Sequence, residues 1–265
     1  MMQLASSDLD RAICWLLIGA IFFAMRSCEY LKTSEENSKR TKIIRLKNIA
    51  FKKQGKVVDH FSKTLHDSDL VMITFEFQKN TQRNQSVHMF RSKDNLLNPV
   101  LAWATTVSRI LKTIPDASQD TKVCAFKSGS NIINIDGDIV RSKLRSIVHI
   151  IGEEKLGFSQ HDIGMASIRS GGAMAMFLSG VNEIVIKRVG RWKSDAFLEY
   201  IREQVDSFTL GVSQKMLQFE NFHHLNDKES DKFDTEEENK NGDGPIQIPF
   251  SVHYSEAVMN EYHSV

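Results

Sequence analysis

Cysteine is scarce in this sequence, and the few cysteines present are not arranged as a structural set. Cys14, Cys28 and Cys124 are the three cysteines among 265 residues, an odd number at wide spacing. Disulfide-stapled secreted domains and zinc modules place cysteines in close, even sets. The sequence therefore predicts neither a disulfide framework nor a zinc site, and it favours a reducing, intracellular compartment.

Long apolar runs are also missing. The longest, residues 12–25, has 14 residues between Arg11 and Arg26, whereas a membrane-spanning helix needs about 20. It lacks the basic start and small-residue cleavage site of a signal peptide. We interpret it as a buried core helix and expect no membrane partner.

Charge is unevenly distributed along the chain. Residues 1–220 contain 31 Lys and Arg against 23 Asp and Glu, whereas residues 221–265 contain 3 against 10. A basic excess of about +8 suggests a polyanionic partner. Residues 226–244 have almost no apolar side chains and cannot bury enough surface to fold alone. The sequence predicts a globular domain over residues 1–220 and an acidic, disordered tail over residues 221–265.

Hydrophobic periodicity predicts the fold class. Ser7 or Asp8 can cap a first helix that runs to about Leu31. Alternating or β-rich patterns in residues 42–48, 70–78 and 85–90 predict strands.

Helices are predicted to dominate the rest of the domain. Pro99 fits the first turn of a helix that reaches about Thr113. Asp138 can cap another helix, whose apolar residues recur at helical spacing: Val140, Leu144, Val148 and Ile151. We therefore predict a mainly α fold with a small antiparallel β-sheet, of the α+β class.

The most informative stretch lies in residues 166–202. Arg169 follows Ser167 and Ile168, the turn Gly190-Arg191-Trp192 comes next, and Tyr200 follows it. This order and spacing resemble the tyrosine recombinase (phage integrase) family, in which His-x-x-Arg precedes a Gly-His or Gly-Trp turn and a tyrosine about nine residues later. The amino-acid sequence of these motifs is most similar to that of Cre-like and eukaryotic transposon-type members.

The resemblance extends upstream. Arg26-Ser27-Cys28-Glu29, at the end of the apolar run, is similar to the family's first arginine motif, and Lys79 resembles the lysine of its β-hairpin. The resemblance covers residues 8–218 and implies the tyrosine recombinase catalytic-domain fold.

The resemblance also implies a chemical role for each residue. Tyr200 would attack a DNA phosphodiester, and Arg26 and Arg169 would hold the charged non-bridging oxygens. Lys79 would give a proton to the departing 5′ oxygen. Trp192 would pack against the phosphate and donate its indole N–H, while Glu29 would orient Arg26 or the neighbouring turn. The scheme requires no metal and no cofactor.

Three features depart from the family pattern. Ala166 stands where the histidine of His-x-x-Arg is expected, and His161 is too far along the chain to be assumed a substitute. Arg191 directly follows Gly190, so either Arg191 or Trp192 can occupy the family's Gly-His or Gly-Trp position. The resemblance begins at the catalytic domain, so we expect the family's amino-terminal DNA-clamping domain to be missing.

The predicted DNA contacts come from a basic cluster around the first predicted strand. Such a cluster is ordinarily a solvated edge, but family members contact the DNA backbone on this side, which favours phosphate binding. The residues that we assign to DNA binding are Lys42, Arg45, Lys47 and Arg191.

These observations predict a DNA-binding, integrase-like recombinase of a mobile element, whose partner is duplex DNA. Family members act as tetramers on two DNA sites, and residues 207–217 could form the helix passed to a neighbour. We expect the protein to be found with the DNA, in the nucleus if the host is eukaryotic. One alternative is a degenerate, non-catalytic DNA-binding remnant, favoured by Ala166. Relaxation of the type IB topoisomerase kind is a second alternative, less similar in motif.

Overall fold

The computed structural model describes residues 5–32, 41–77, 83–194 and 198. Within these ranges the chain combines seven helices with two antiparallel sheets, so the predicted α+β class is confirmed at that level. The helices are α1 (Asp8–Phe22), α2 (Ser27–Tyr30), α3 (Pro99–Thr113), α4 (Gly137–Ile151), α5 (Glu153–Leu156), α6 (Ser167–Leu178) and α7 (Glu183–Gly190). The strands are β1 (Ile49–Lys53), β2 (Lys56–Val58), β3 (Leu70–Phe77), β4 (Arg83–Phe90), β5 (Ala125–Ser128) and β6 (Asn131–Asn134).

The larger sheet has the strand order β2-β1-β3-β4 and is antiparallel throughout. In β3 the alternate residues Val71, Ile73 and Phe75 are buried, as expected for a strand with one face on the core. Ile73 pairs with Val87 of β4, whose side chain is also buried. Strands β5 and β6 form a separate hairpin.

Helix α1 is a buried core helix, as its apolar sequence predicts. Ser7 caps it, and Asp10 completes a reciprocal capping box. Ile13, Leu16 and Ala20 are almost completely buried. No helix among the described residues is both long and apolar enough to cross a membrane.

The predicted end of the first helix is wrong. The helix ends at Phe22 and not near Leu31, because Ala24 adopts a positive φ of 42° and breaks the helical hydrogen bonding. A new short helix, α2, starts at Ser27. The turn between them, residues 23–26, is buried except at Arg26 and becomes the centre of the candidate site.

Helix α3 has the predicted bounds, with Asn98 as its N-cap. Helix α4 is also present, but its cap is Asp136, whose carboxylate accepts from the backbone N–H groups of Asp138 and Ile139. Asp138 is the second residue of the helix and forms an ion pair with Arg141.

The strand predicted over residues 42–48 is wrong. Residues Leu46–Asn48 form a 3-10 turn, and Arg45 contributes only an isolated bridge to Lys122. The first strands follow instead as the β1–β2 hairpin, whose turn residues Gln54 and Gly55 both have positive φ. Strands β5 and β6 were also missed, because four-residue strands carry too little periodic signal.

Candidate functional site

The turn formed by residues 23–26 presents backbone carbonyls to two distant arginines. Non-glycine residues rarely adopt a positive φ, and such strain of order 1–3 kcal/mol persists only where the surroundings hold it. Here Ala24 is completely buried, and hydrogen bonds to the carbonyls of Ile21 and Ala20 fix Ala24 and Met25. The carbonyls of Phe23 and Ala24 are left to accept from side chains.

Arg169 in α6 is the first of these arginines. Its side chain is 5% exposed; Nη1 donates to the Ala24 carbonyl at 2.5 Å and Nη2 to the Gly190 carbonyl at 2.6 Å. The guanidinium lies 4.0 Å from the ring centroid of Trp192. Arg169 therefore ties α6 both to the turn after α1 and to the end of α7.

Helix α6 can approach α1 this closely because of a glycine. A Cβ on Gly172 would lie 2.4 Å from the Ile21 carbonyl oxygen, whereas a Cβ on Gly171 would meet open space. Gly172, and not Gly171, is therefore the glycine that permits the close packing of α6 on α1. The close approach brings Arg169 to the turn.

Arg191 is the second arginine, and it is almost completely buried. It follows α7 in the left-handed conformation, with φ 58°. Nη1 donates to the carbonyls of Phe23 and Val189, Nη2 donates to Glu29 Oε2, and the guanidinium packs 3.6 Å from the ring centroid of Phe75. Burial lowers the pKa of Arg191, and the Glu29 carboxylate opposes that effect.

This position corrects the prediction that Arg191 contacts DNA. A guanidinium that is 0% exposed and bound to a carboxylate and two carbonyls presents no surface to a phosphate. Its role in the described structure is to hold the turn and Glu29.

Glu29 connects the two motifs. Its carboxylate accepts from Arg191, from the backbone N–H of Arg26 at 2.8 Å and from Arg26 Nη1 at 3.1 Å, and it is 1% exposed. The predicted orienting contact from Glu29 to Arg26 is therefore present. The Arg26 side chain is 23% exposed, so of the three arginines at this turn, Arg26 has its guanidinium nearest to solvent.

Trp192 packs directly over Gly190. A Cβ on Gly190 would lie 1.5 Å from a Trp192 ring carbon, so any other residue there would displace the ring. The ring is partly buried and also contacts a small apolar cluster around Ile186. Arg191 and Trp192 thus take opposite positions: Arg191 points inward to Glu29, and Trp192 covers Arg169.

Ala166 directly precedes α6 and is exposed. Its neighbour Met165 lines a cavity of about 380 Å³, and Ser27, the neighbour of Arg26, lines the same cavity. His161 lies in an exposed 3-10 turn, Gln160–Asp162.

Two predicted catalytic residues, Lys79 and Tyr200, lie outside the described residues. The predicted exchange helix, residues 207–217, and the acidic tail also lie outside them. Their roles stay predictions. Within the described residues no group of three His, Cys, Asp or Glu side chains gathers as a metal site.

The predicted basic cluster has an acidic partner that the sequence did not indicate. Asp120 lies 2.8 Å from Lys47 Nζ and 3.5 Å from Arg45 Nη1, and Glu76 lies 3.8 Å from Lys47 Nζ. Hydrogen bonding to Lys47 lowers the pKa of Asp120. Lys42 instead places its ammonium 4.3 Å from the Phe77 ring centroid. DNA contact by Lys42, Arg45 and Lys47 stays a prediction.

The chain was also compared with known proteins. No protein-family model matches it, and no match was found among curated proteins.

Proposed function

We propose that this protein binds duplex DNA and breaks and rejoins it through a 3′-phosphotyrosyl intermediate at Tyr200, as tyrosine recombinases do. One observation carries the proposal beyond the resemblance in sequence. The turn of residues 23–26 links the first motif, Arg26 and Glu29, to Arg169, which lies more than 140 residues later and packs against Trp192. A chance match of short motifs gives no reason for these residues to meet.

In the proposed reaction the Tyr200 phenol loses its proton to a water molecule and its oxygen forms a bond to phosphorus, while the bond from phosphorus to the 5′ oxygen breaks. Lys79 gives that oxygen a proton, so a 5′ hydroxyl leaves. Arg26 would bind the non-bridging oxygens with the donors that it does not use for Glu29, and charge-assisted hydrogen bonds of this kind are strong.

A second candidate is a DNA-binding protein without catalytic activity. Two observations favour it: Arg169 donates both terminal nitrogens to backbone carbonyls, and Ala166 supplies no imidazole. In this candidate the arginines serve the fold, and DNA affinity comes from surface cations.

A nicked suicide duplex separates the two candidates. Cleavage beside the nick lets a short fragment diffuse away, so a covalent protein–DNA adduct accumulates and appears as a slower band after denaturing electrophoresis. We expect an adduct from the natural sequence and none from Tyr200→Phe. Absence of any adduct from a folded protein that binds the duplex would overturn catalysis and leave the second candidate.

A further inference from the structure

A second cavity, of about 310 Å³, opens away from the turn of residues 23–26. Arg11 and Trp15 of α1, Thr105 and Arg109 of α3, and Phe126 and Lys127 of β5 line it. Along the axis of α1, Arg11 lies roughly 16 Å from Phe22, the last residue of the helix. The described arginines of the candidate site do not line it, so this cavity is a separate feature.

Arg109 is a partly buried cation without a counterion among the described residues. Its Nη1 donates to the Ala125 carbonyl at 2.9 Å, but its Nη2 is shielded from solvent and has no hydrogen-bond partner among the described residues. No described carboxylate pairs with it, and burial lowers its pKa to about 10. Buried charges in proteins are normally paired. Arg109 therefore lacks an anionic partner.

The rest of the lining suits an anion with a flat apolar body. Lys127 adds a second cation. Asp8 and Arg11 also line the cavity, and their opposite charges are paired with each other. The Trp15 and Phe126 rings provide flat apolar surface, and the Arg109 guanidinium lies 5.6 Å from the Phe126 ring centroid. The volume is at the lower end of the range for small-molecule sites.

We propose that this cavity binds a small aromatic carboxylate, with its ring against Trp15 and Phe126 and its carboxylate toward Arg109 and Lys127. In the proposed complex the Arg109 side chain would rotate, which would bring the shielded Nη2 to the carboxylate and supply its missing hydrogen bond. The proposal does not depend on DNA cleavage or on DNA binding by the surface cations.

Calorimetric titration of the full-length protein tests it, with benzoate as the probe and benzamide as its neutral analogue. We expect benzoate to bind at least tenfold more tightly than benzamide or inorganic phosphate. Arg109→Met should weaken benzoate binding at least tenfold. Lys112→Met removes a cation from the same helix outside this cavity and should leave the affinity unchanged.

Several results would overturn the proposal. The proposal fails if benzoate does not bind. It also fails if benzamide binds equally well, because the negative charge is then not recognised, or if phosphate binds equally well, because the aromatic ring is then not recognised. Competition between benzoate and duplex DNA would assign the cavity to a DNA-contacting surface instead. If Arg109→Met does not fold, as judged by circular dichroism, Lys127→Met at the exposed edge provides the test, and unchanged benzoate affinity in that variant would count against the proposal.

Discussion

Arg191 donates from Nη2 to Glu29 Oε2 over 2.7 Å, and the two side chains are 0% and 1% exposed. This ion pair joins the residue after α7 to the first turn of α2, which are 162 residues apart in sequence. The same carboxylate holds Arg26, so a single buried pair fixes the geometry of the most exposed arginine at the turn.

Breaking this pair should be costly. Removing one partner of a buried ion pair typically costs about 3–5 kcal/mol, because the other charge stays buried and unpaired. We expect Arg191→Met to lower the free energy of unfolding by about that amount, and Arg191→Lys to lower it as well, because an ammonium lacks the planar fork that reaches Glu29 and two carbonyls.

Urea unfolding followed by circular dichroism measures the effect. Arg11→Met is the matched control, because Arg11 and Asp8 form an ion pair of 2.5 Å that is 52% and 84% exposed, and exposed pairs contribute about 0–1 kcal/mol. Equal losses in Arg191→Met and Arg11→Met would contradict the structural role that we assign to Arg191.

Gly171 and Gly172 should respond oppositely to alanine. The Gly172 Cβ would overlap the Ile21 carbonyl at 2.4 Å, so we expect Gly172→Ala to lower the free energy of unfolding by about 1–3 kcal/mol. Gly171→Ala meets open space and should raise it by up to about 1 kcal/mol through helix propensity. Thermal unfolding of both variants measures this contrast, and a harmless Gly172→Ala would mean that α1 and α6 do not pack as described.

Asp10 should make stability depend on pH in the acid range. Its hydrogen bond from Lys143 is the main cause that lowers its pKa from 3.8 to about 2; burial opposes this, and bonds from Ser7 and Ser6 add to it. A carboxyl whose pKa is lower in the folded state stabilises the fold above the unfolded pKa, and this contribution is lost as the pH falls from about 4 towards 2.

Unfolding of the natural protein and of Asp10→Asn in urea at pH 7, 5 and 3 tests this. We expect the natural protein to be more stable at pH 7 and 5, with a smaller difference at pH 3. Lys143→Met should reproduce the loss, because it removes the main cause of the lowered pKa. A difference that is constant over the three pH values would rule out Asp10 as the titrating group.

Asp120 should weaken DNA binding at the basic cluster. Its carboxylate lies within 4 Å of both Lys47 and Arg45, so Asp120→Asn should remove the negative charge beside both cations and raise the affinity for duplex DNA several-fold. Lys47→Met should lower the affinity and reduce the slope of log affinity against log salt by about 1.

Fluorescence anisotropy with a labelled duplex at several salt concentrations measures these changes. Asp116→Asn removes an exposed aspartate of the same loop that has no ion pair among the described residues, and it serves as the charge-matched control. If Asp116→Asn and Asp120→Asn change the affinity equally, only net charge matters and the cluster makes no direct contact.

Ala166→His should raise covalent cleavage of a suicide duplex. It places an imidazole three residues before Arg169, where the proposed reaction lacks a proton acceptor, and general acid–base catalysis contributes about 10² to 10⁴-fold. The rate of adduct formation, with Tyr200→Phe in the same background as the inactive control, measures the gain. If the natural protein forms as much adduct as Ala166→His, and His161→Ala loses it, the proton transfer belongs to His161. If neither the natural protein nor Ala166→His forms an adduct, the non-catalytic candidate is favoured.

The sequence alone was sufficient for features governed by local physical chemistry. Pro99 located the first turn of α3, and the apolar run of residues 12–25 identified a buried helix. β-Branched and aromatic residues located β3 and β4. Each depends on contacts between near neighbours in the chain, and such contacts leave a repeating pattern in the sequence.

Other features were decided by tertiary structure, because their partners lie far apart in the chain. Ala24 ends a helix that the local sequence would continue. Two arginines more than 140 residues away stabilise the strained turn by donating hydrogen bonds to its carbonyls. Asp120 neutralises cations 73 and 75 residues away. Arg191 was predicted from the sequence to contact DNA, but its left-handed backbone conformation directs the guanidinium into the core. The sequence motifs identified the arginines of the candidate site, but only the packing of α1, α6 and α7 determined which of them faces inward.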